Sequence, residues 1–142
     1  MDNLLTIFIK NNFNNLQQEI KKICDLIHKD YHSITTIAVS KGRNIDDIKT
    51  LYDLGHQDFG ENKVQEINRK IKNINNKDQP LTINWHFIGH LQTNKVAKLI
   101  PYISTLHSLN SLKLLETIES YYGKIPTNHN IAIANRLECF IQ

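Results

Sequence analysis

Short apolar runs alternate with amphipathic helical segments along the chain, and this alternation constrains the fold more than any other feature. The runs that predict strands span residues 34–40, 56–60, 83–88, 102–106 and 130–134. Because a helical segment separates each run from the next, the strands are predicted to be parallel and joined by crossover helices. The sequence therefore predicts an α/β fold of about five parallel strands and disfavours a helical bundle or a β-sandwich.

The first helix is predicted from its apolar spacing. Leu16, Ile20, Ile23 and Ile27 are separated by four, three and four residues, which places them on one face of an amphipathic helix within residues 3–30.

Capping residues predict where the later helices begin. Asn44 precedes Asp46 and Asp47, so it is the expected N-cap of the second helix, with two carboxylates in the first turn. Glu61 is predicted to open the third helix, and Asn110 is predicted to cap the last one.

The segment Ile34–Lys41 (ITTIAVSK) is predicted to be a buried strand that ends at a lysine. Gly42 follows and lets the chain turn back over the carboxyl edge of the sheet, where α/β folds bind ligands. A neutral lysine amine at this position can form an imine with an aldehyde. The alternative is a solvated lysine at the end of a strand, since most lysines lie on protein surfaces.

Polar or small residues follow each predicted strand. They are Lys41, Asn62, Gly89, Ser108 and Asn135, separated by 21, 27, 19 and 27 residues. Each interval is close to the length of one βα unit, so these residues are expected to share one edge of a parallel sheet and to form one site. The spacing does not identify the ligand.

Composition limits the class of protein. The chain has 142 residues, 40% hydrophobic and 22% charged, which suits one soluble domain. No apolar run approaches the roughly 20 residues that span a bilayer. The first residues lack a basic region and a cleavage site, and Cys24 and Cys139 are far apart, so a cytoplasmic protein with free thiols is expected. The net charge of +3 comes from dispersed lysines, so no nucleic-acid partner is expected.

Three sequence strings are more specific than the alternation of strands and helices. They are Ala38–Lys41 (AVSK), Phe59–Glu66 (FGENKVQE) and Trp85–Lys95 (WHFIGHLQTNK). In this order they closely resemble the pyridoxal phosphate homeostasis protein family, whose members are small single-domain proteins related to the N-terminal barrel of alanine racemase. The resemblance runs from about Ile34 to Ile118.

This resemblance implies a (β/α)8 TIM-type barrel, here partial, that holds pyridoxal 5′-phosphate (PLP) as an imine on Lys41. It also implies a non-catalytic role in PLP carriage and in the balance of vitamin B6 and amino-acid pools. No catalytic residue and no metal ligand are assigned. PLP is the expected small-molecule partner, and no membrane partner is expected.

Three further residues are candidates for binding the cofactor. Asn62 is expected either to hydrogen-bond the PLP ring or to cap a helix. His86 is expected either to point toward the ring or to be a hydrogen-bonded core histidine, and Ile88 shares its strand face and offers an apolar wall.

The C-terminal part of the chain departs from the family pattern. A complete barrel typically has about 250 residues, and residues 136–142 (RLECFIQ) diverge from the family sequence. The expectation is therefore a C-terminally truncated member that forms a single incomplete domain over residues 1–142. Weak PLP binding and self-association through exposed strand edges would follow.

Two other functions remain as alternatives. A PLP-dependent racemase would need a second base and a second domain or subunit to close the site, and the sequence shows neither. A nonfunctional remnant would bind no ligand.

Overall fold

A computed structural model describes residues 3–75, 81–124 and 137–142. Within them the strands are β1 (Ala38–Val39), β2 (Asp58–Glu61), β3 (Asn84–Phe87), β4 (Thr105–Leu109) and β5 (Glu138–Ile141). They form a sheet in the order β1-β2-β3-β4-β5, and every neighbouring pair is parallel. The predicted α/β fold with five parallel strands is confirmed.

Helices precede β1 and connect the strands that follow. They are α1 (Leu4–Leu26), α2 (Ile45–Tyr52), α3 (Val64–Asn75), α4 (Val96–Leu99) and α5 (Leu112–Tyr122). Short 3-10 turns lie on either side of α4, at Thr93–Lys95 and Ile100–Tyr102. No helix in the described ranges is long and apolar enough to cross a membrane.

Side-chain caps fix the start of two connecting helices. The side chain of Asn44 accepts a hydrogen bond from the backbone N–H of Asp47 at 2.8 Å, which confirms it as the N-cap of α2. The prediction that Asn110 caps α5 was wrong. Ser111 takes that position, because its backbone is extended and its hydroxyl oxygen accepts from the N–H of Leu114 at 3.3 Å.

The core lies between one face of the sheet and the connecting helices. The strand residues Phe59, Phe87 and Leu106 are each at most 1% exposed, and they pack with Ile67 of α3 and Leu114 of α5. Because side chains alternate along a strand, the strand residues directly before and after each of these lie on the opposite face of the sheet. We call this the open face.

Register places one residue from each strand side by side on the open face. They are Val39, Gly60, His86, Thr105 and Glu138, each paired with the next across the sheet.

Several predicted boundaries were wrong. Only Ala38–Val39 of the first predicted strand pairs in the sheet. The fourth strand begins at Thr105, since Pro101 lies in the preceding 3-10 turn. Glu61 ends β2 instead of opening a helix, and α3 begins at Val64. The predicted strand at 130–134 lies outside the described residues, whereas β5 forms within the segment that sequence divergence assigned to a tail.

A close backbone contact joins the loops that follow β2 and β3. A Cβ atom at Gly89 would lie 2.2 Å from the carbonyl oxygen of Asn62, well inside van der Waals contact. Only glycine lets these two loops approach so closely.

We expect Gly89→Ala to lower the free energy of unfolding by about 1–3 kcal/mol, because the backbone of Asn62 must move to admit the methyl group. Urea denaturation measures this change. Gly123→Ala is the matched control, since its Cβ would lie 3.5 Å from the nearest atom and its φ is −64°. Equal stability of the two variants would contradict the contact.

Candidate functional site at the carboxyl edge of the sheet

Lys41 lies in a tight turn at the carboxyl end of β1. The backbone N–H of Arg43 donates to the carbonyl oxygen of Ser40 at 3.0 Å, and Gly42 has a φ of +71°. A positive φ at the third residue is what a type II turn requires, and glycine adopts it without steric cost. Lys41 is exposed and occupies the second position of this turn, two residues after β1 ends.

A buried ion pair lies directly behind this turn. The ammonium group of Lys70 on α3 donates to the carboxylate of Glu61 at the end of β2, and both side chains are almost fully buried. Lys70 Nζ also donates to the carbonyl oxygen of Ser40 at 2.7 Å, and Ser40 Oγ donates to Glu61 Oε1 at 2.7 Å. Ser40, the residue before Lys41, is therefore hydrogen-bonded to both buried charges.

The next residue of the turn is held from the same helix. The backbone N–H of Gly42 donates to Glu66 Oε2 at 3.2 Å. This hydrogen bond is the main reason why the pKa of Glu66 lies below its ordinary value, and the positive charges of Lys70 and Lys63 lower it further. The backbone on both sides of Lys41 is thus fixed to α3, whereas the Lys41 side chain extends into solvent.

A row of polar side chains crosses the open face. His86 Nε2 lies 3.1 Å from Asp58 Oδ1, and His86 Nδ1 lies 3.0 Å from His107 Nε2. Since a carboxylate only accepts hydrogen bonds, His86 Nε2–H donates to Asp58 Oδ1, and the other ring nitrogen of His86 shares a hydrogen bond with His107 Nε2. The His107 ring stacks on Phe140 with a centroid separation of 5.0 Å.

Burial lowers the pKa of His107 below its ordinary value, and the neighbouring charge of His86 lowers it further. The lowered pKa favours the neutral form of His107.

Apolar side chains converge on the open face beside β1. A Cβ atom at Gly60 would lie 3.1 Å from Ile37 Cγ2, 3.5 Å from Ile88 Cδ1 and 3.6 Å from Val39 Cγ2. Ile88 therefore lies near the strand that leads to Lys41, and the three side chains cover the surface that Gly60 leaves bare.

Asn62 lies in the bend between β2 and α3, and its side chain makes no hydrogen bond within the described part of the chain. It does not act as a helix cap, because α3 begins two residues later.

The predicted site residues thus divide into two groups. Lys41, Asn62 and Ile88 follow the carboxyl ends of β1, β2 and β3. His86 lies two residues before Ile88 on the same face, and both of its ring nitrogens are engaged.

Two parts of this arrangement were not predicted from the sequence. Lys70 follows Ile67 by three residues and precedes Ile74 by four, so it occupies the apolar stripe of its helix, which is a signal of a buried and paired lysine. The pairing of His86 with His107 depends on strand register, which hydrophobic spacing alone did not supply.

Parallel strands with connecting helices, and a lysine at the carboxyl edge of the sheet, define a protein of the α/β-barrel class. No family model matches the chain. The pyridoxal phosphate homeostasis protein of Buchnera aphidicola subsp. Baizongia pistaciae is 35% identical over 113 residues, which cover 80% of this chain and 48% of the relative.

Solved structures agree with this result. PipY of Synechococcus elongatus PCC7942, with PLP bound, superposes with a TM-score of 0.60 at 31% identity, over 73% of this chain and 48% of that one. A protein of unknown function from Bifidobacterium adolescentis shows the same fold, with a TM-score of 0.73 at 24% identity over 87% of this chain and 53% of that one. The chain belongs to the pyridoxal phosphate homeostasis protein family, and it spans about half the length of the curated relatives that it matches.

We expect Lys70→Met to lower the free energy of unfolding by about 3–5 kcal/mol, because it leaves the carboxylate of Glu61 buried and unpaired. Lys49→Met is the control. It removes an exposed pair with Asp53, and such pairs contribute about 0.2–1 kcal/mol.

Urea denaturation of the two variants gives the comparison. Adding Glu61→Gln to Lys70→Met should recover part of the loss, since the buried charge is then gone. A Lys70→Met protein as stable as the Lys49→Met protein would show that the buried pair does not hold the turn.

Stability should also fall on the acid side of neutrality. The pKa of His107 is lower in the folded protein than in the unfolded chain, so the unfolded chain binds the proton more tightly. The contribution of His107 is therefore complete above its unfolded pKa of about 6.5 and is lost as the pH falls through its folded value. Urea denaturation between pH 8 and pH 5 should show a shallower fall for His107→Gln than for the unsubstituted chain, and parallel curves would contradict this assignment.

Proposed function

We propose that this chain binds and carries PLP through the side chain of Lys41, as part of vitamin B6 and amino-acid homeostasis. The observation that carries the proposal is the turn of Lys41, which the buried Glu61–Lys70 pair fixes at the carboxyl end of β1 while the amine stays exposed. The PLP-bound structure of PipY, to which this fold is similar, supports the same ligand.

The residues around this turn fit the ring end of PLP. The cofactor supplies an aldehyde that a neutral primary amine attacks with loss of water. Lys41 provides the amine. Ile88 provides an apolar wall for the ring, and Asn62 provides an amide that has no other hydrogen bond among the described residues.

His86 forms the layer beneath this wall in the proposed site. Its ring is held by Asp58 on one side and by His107 on the other, so it presents a fixed surface below Ile88.

We further propose that the protein carries PLP without turnover. A racemase would need a second base that is free to accept a substrate proton. His86 does not meet this need, since both of its ring nitrogens already have partners. The relatives that share the sequence are named as homeostasis proteins, which supports carriage over catalysis.

Borohydride reduction in the presence of PLP tests the proposal directly. Peptide mapping should find the pyridoxyl group on Lys41 in preference to the other lysines, and Lys41→Met should remove both this adduct and the visible absorbance of the bound cofactor. Lys113→Met is the control, since it removes an exposed lysine from α5. Random labelling would overturn the proposal, and measurable alanine racemisation would overturn its non-catalytic part.

A further inference from the structure

A cationic groove lies on the outer surface between α3 and the segment around α4. It is lined by Arg69 and Lys72 from α3 and by Lys95 and Lys98 from the other wall, and its volume is about 450 Å³. In the described part of the chain no carboxylate lines it. Lys70, which follows Arg69, is turned the other way and is buried against β2, so the groove is separate from the turn of Lys41.

No carboxylate among the described residues neutralises the four charges. Within residues 3–75, 81–124 and 137–142, none of them forms an ion pair. Arg69 and Lys72 are three residues apart on α3, and neighbouring like charges on a helix surface destabilise it. A groove lined by one sign of charge attracts ligands of the opposite sign, which offsets this cost when they bind.

The groove continues into a second cavity of about 320 Å³. This cavity shares Asn68, Lys72 and Lys98 with the cationic part and adds Ile71, Ala97 and Tyr102. Tyr102 is 47% exposed, so its ring is accessible to a ligand. A ligand that contacts both the cations and the Tyr102 ring would carry negative charges and a flat group.

We propose that this groove binds a nucleoside polyphosphate. The phosphates contact Arg69, Lys72, Lys95 and Lys98, and the base packs on Tyr102. This site goes beyond the proposed function, because it lies on the outer helical surface and uses none of the residues assigned to PLP. Four cations around one small groove suit a di- or triphosphate better than the single phosphate of PLP.

Calorimetric titration of the full chain with ATP, with EDTA present to exclude metal ions, tests the proposal. The double variant Lys72→Gln/Lys98→Gln should weaken ATP binding roughly tenfold or more. The matched control is Lys21→Gln/Lys113→Gln, which removes two exposed lysines outside the groove and changes the net charge equally. It should change ATP binding by less than about twofold, since distant surface charges are screened.

A second comparison tests the end of the groove at Tyr102. Tyr102→Ala should weaken ATP binding and leave inorganic triphosphate binding unchanged, while Tyr102→Phe should keep ATP binding because it retains the ring. Circular dichroism confirms that each variant is folded.

The proposal is overturned if ATP shows no saturable binding, or if the two double variants lose affinity equally, since either result means non-specific attraction to positive charge. It is also overturned if inorganic triphosphate binds as tightly as ATP and Tyr102→Ala has no effect. A single-stranded oligonucleotide that binds more tightly than ATP, and loses affinity in Lys72→Gln/Lys98→Gln, would replace the nucleotide with a nucleic-acid partner.

Discussion

The burial of Glu61 and Lys70 against each other is the constraint on which the carboxyl edge of the sheet depends. Neither charge could remain buried alone, because removing one partner leaves the other charge buried with neither an ion-pair partner nor water. Their mutual contact also fixes where β2 ends relative to α3. Since Ser40 contributes both its carbonyl oxygen and its hydroxyl to this pair, the residue that follows β1 is attached to the interior of the protein.

Because of this attachment, the backbone at Lys41 is held in place while its side chain stays free to move. The flanking residues Ser40 and Gly42 are bonded to buried or helical groups, while the lysine itself extends into solvent. A nucleophile held in this way loses little backbone entropy when a ligand binds, which favours binding. Its amine still moves over several bonds, as a carrier that loads and releases a cofactor would need.

The two faces of the sheet have different chemistry. Phe59, Phe87 and Leu106 make one face a dry core, whereas Asp58, His86 and His107 form a hydrogen-bonded row across the other. Each imidazole in this row is oriented by its neighbour, so the polar groups on that face are satisfied by one another. The lower layer of the proposed site is therefore fixed before any ligand is present.

Much of the fold could be predicted from local signals, and the errors have physical causes. Alternation of strands and helices gave the parallel sheet, and Asn44 was recognised because a cap depends only on its own helix. Glu61 was placed at a helix start because acidic residues favour that position, although its partner Lys70 lies nine residues away on the next helix. The contact between His86 and His107 could be predicted only with the register of β3 and β4 in hand. The position of β5 depends on its pairing with β4, which the sequence of β5 alone does not specify.

The buried ion pair also limits how this sequence can change over time. Exposed lysines such as Lys21 can be gained or lost at little cost, and a chain with so many asparagines, isoleucines and lysines has room for such drift. Lys70 is more constrained, because the loss of Lys70 alone or of Glu61 alone leaves a buried charge without its partner. Substitution there has to be concerted, because the charge of Lys70 is paired with a residue on another element.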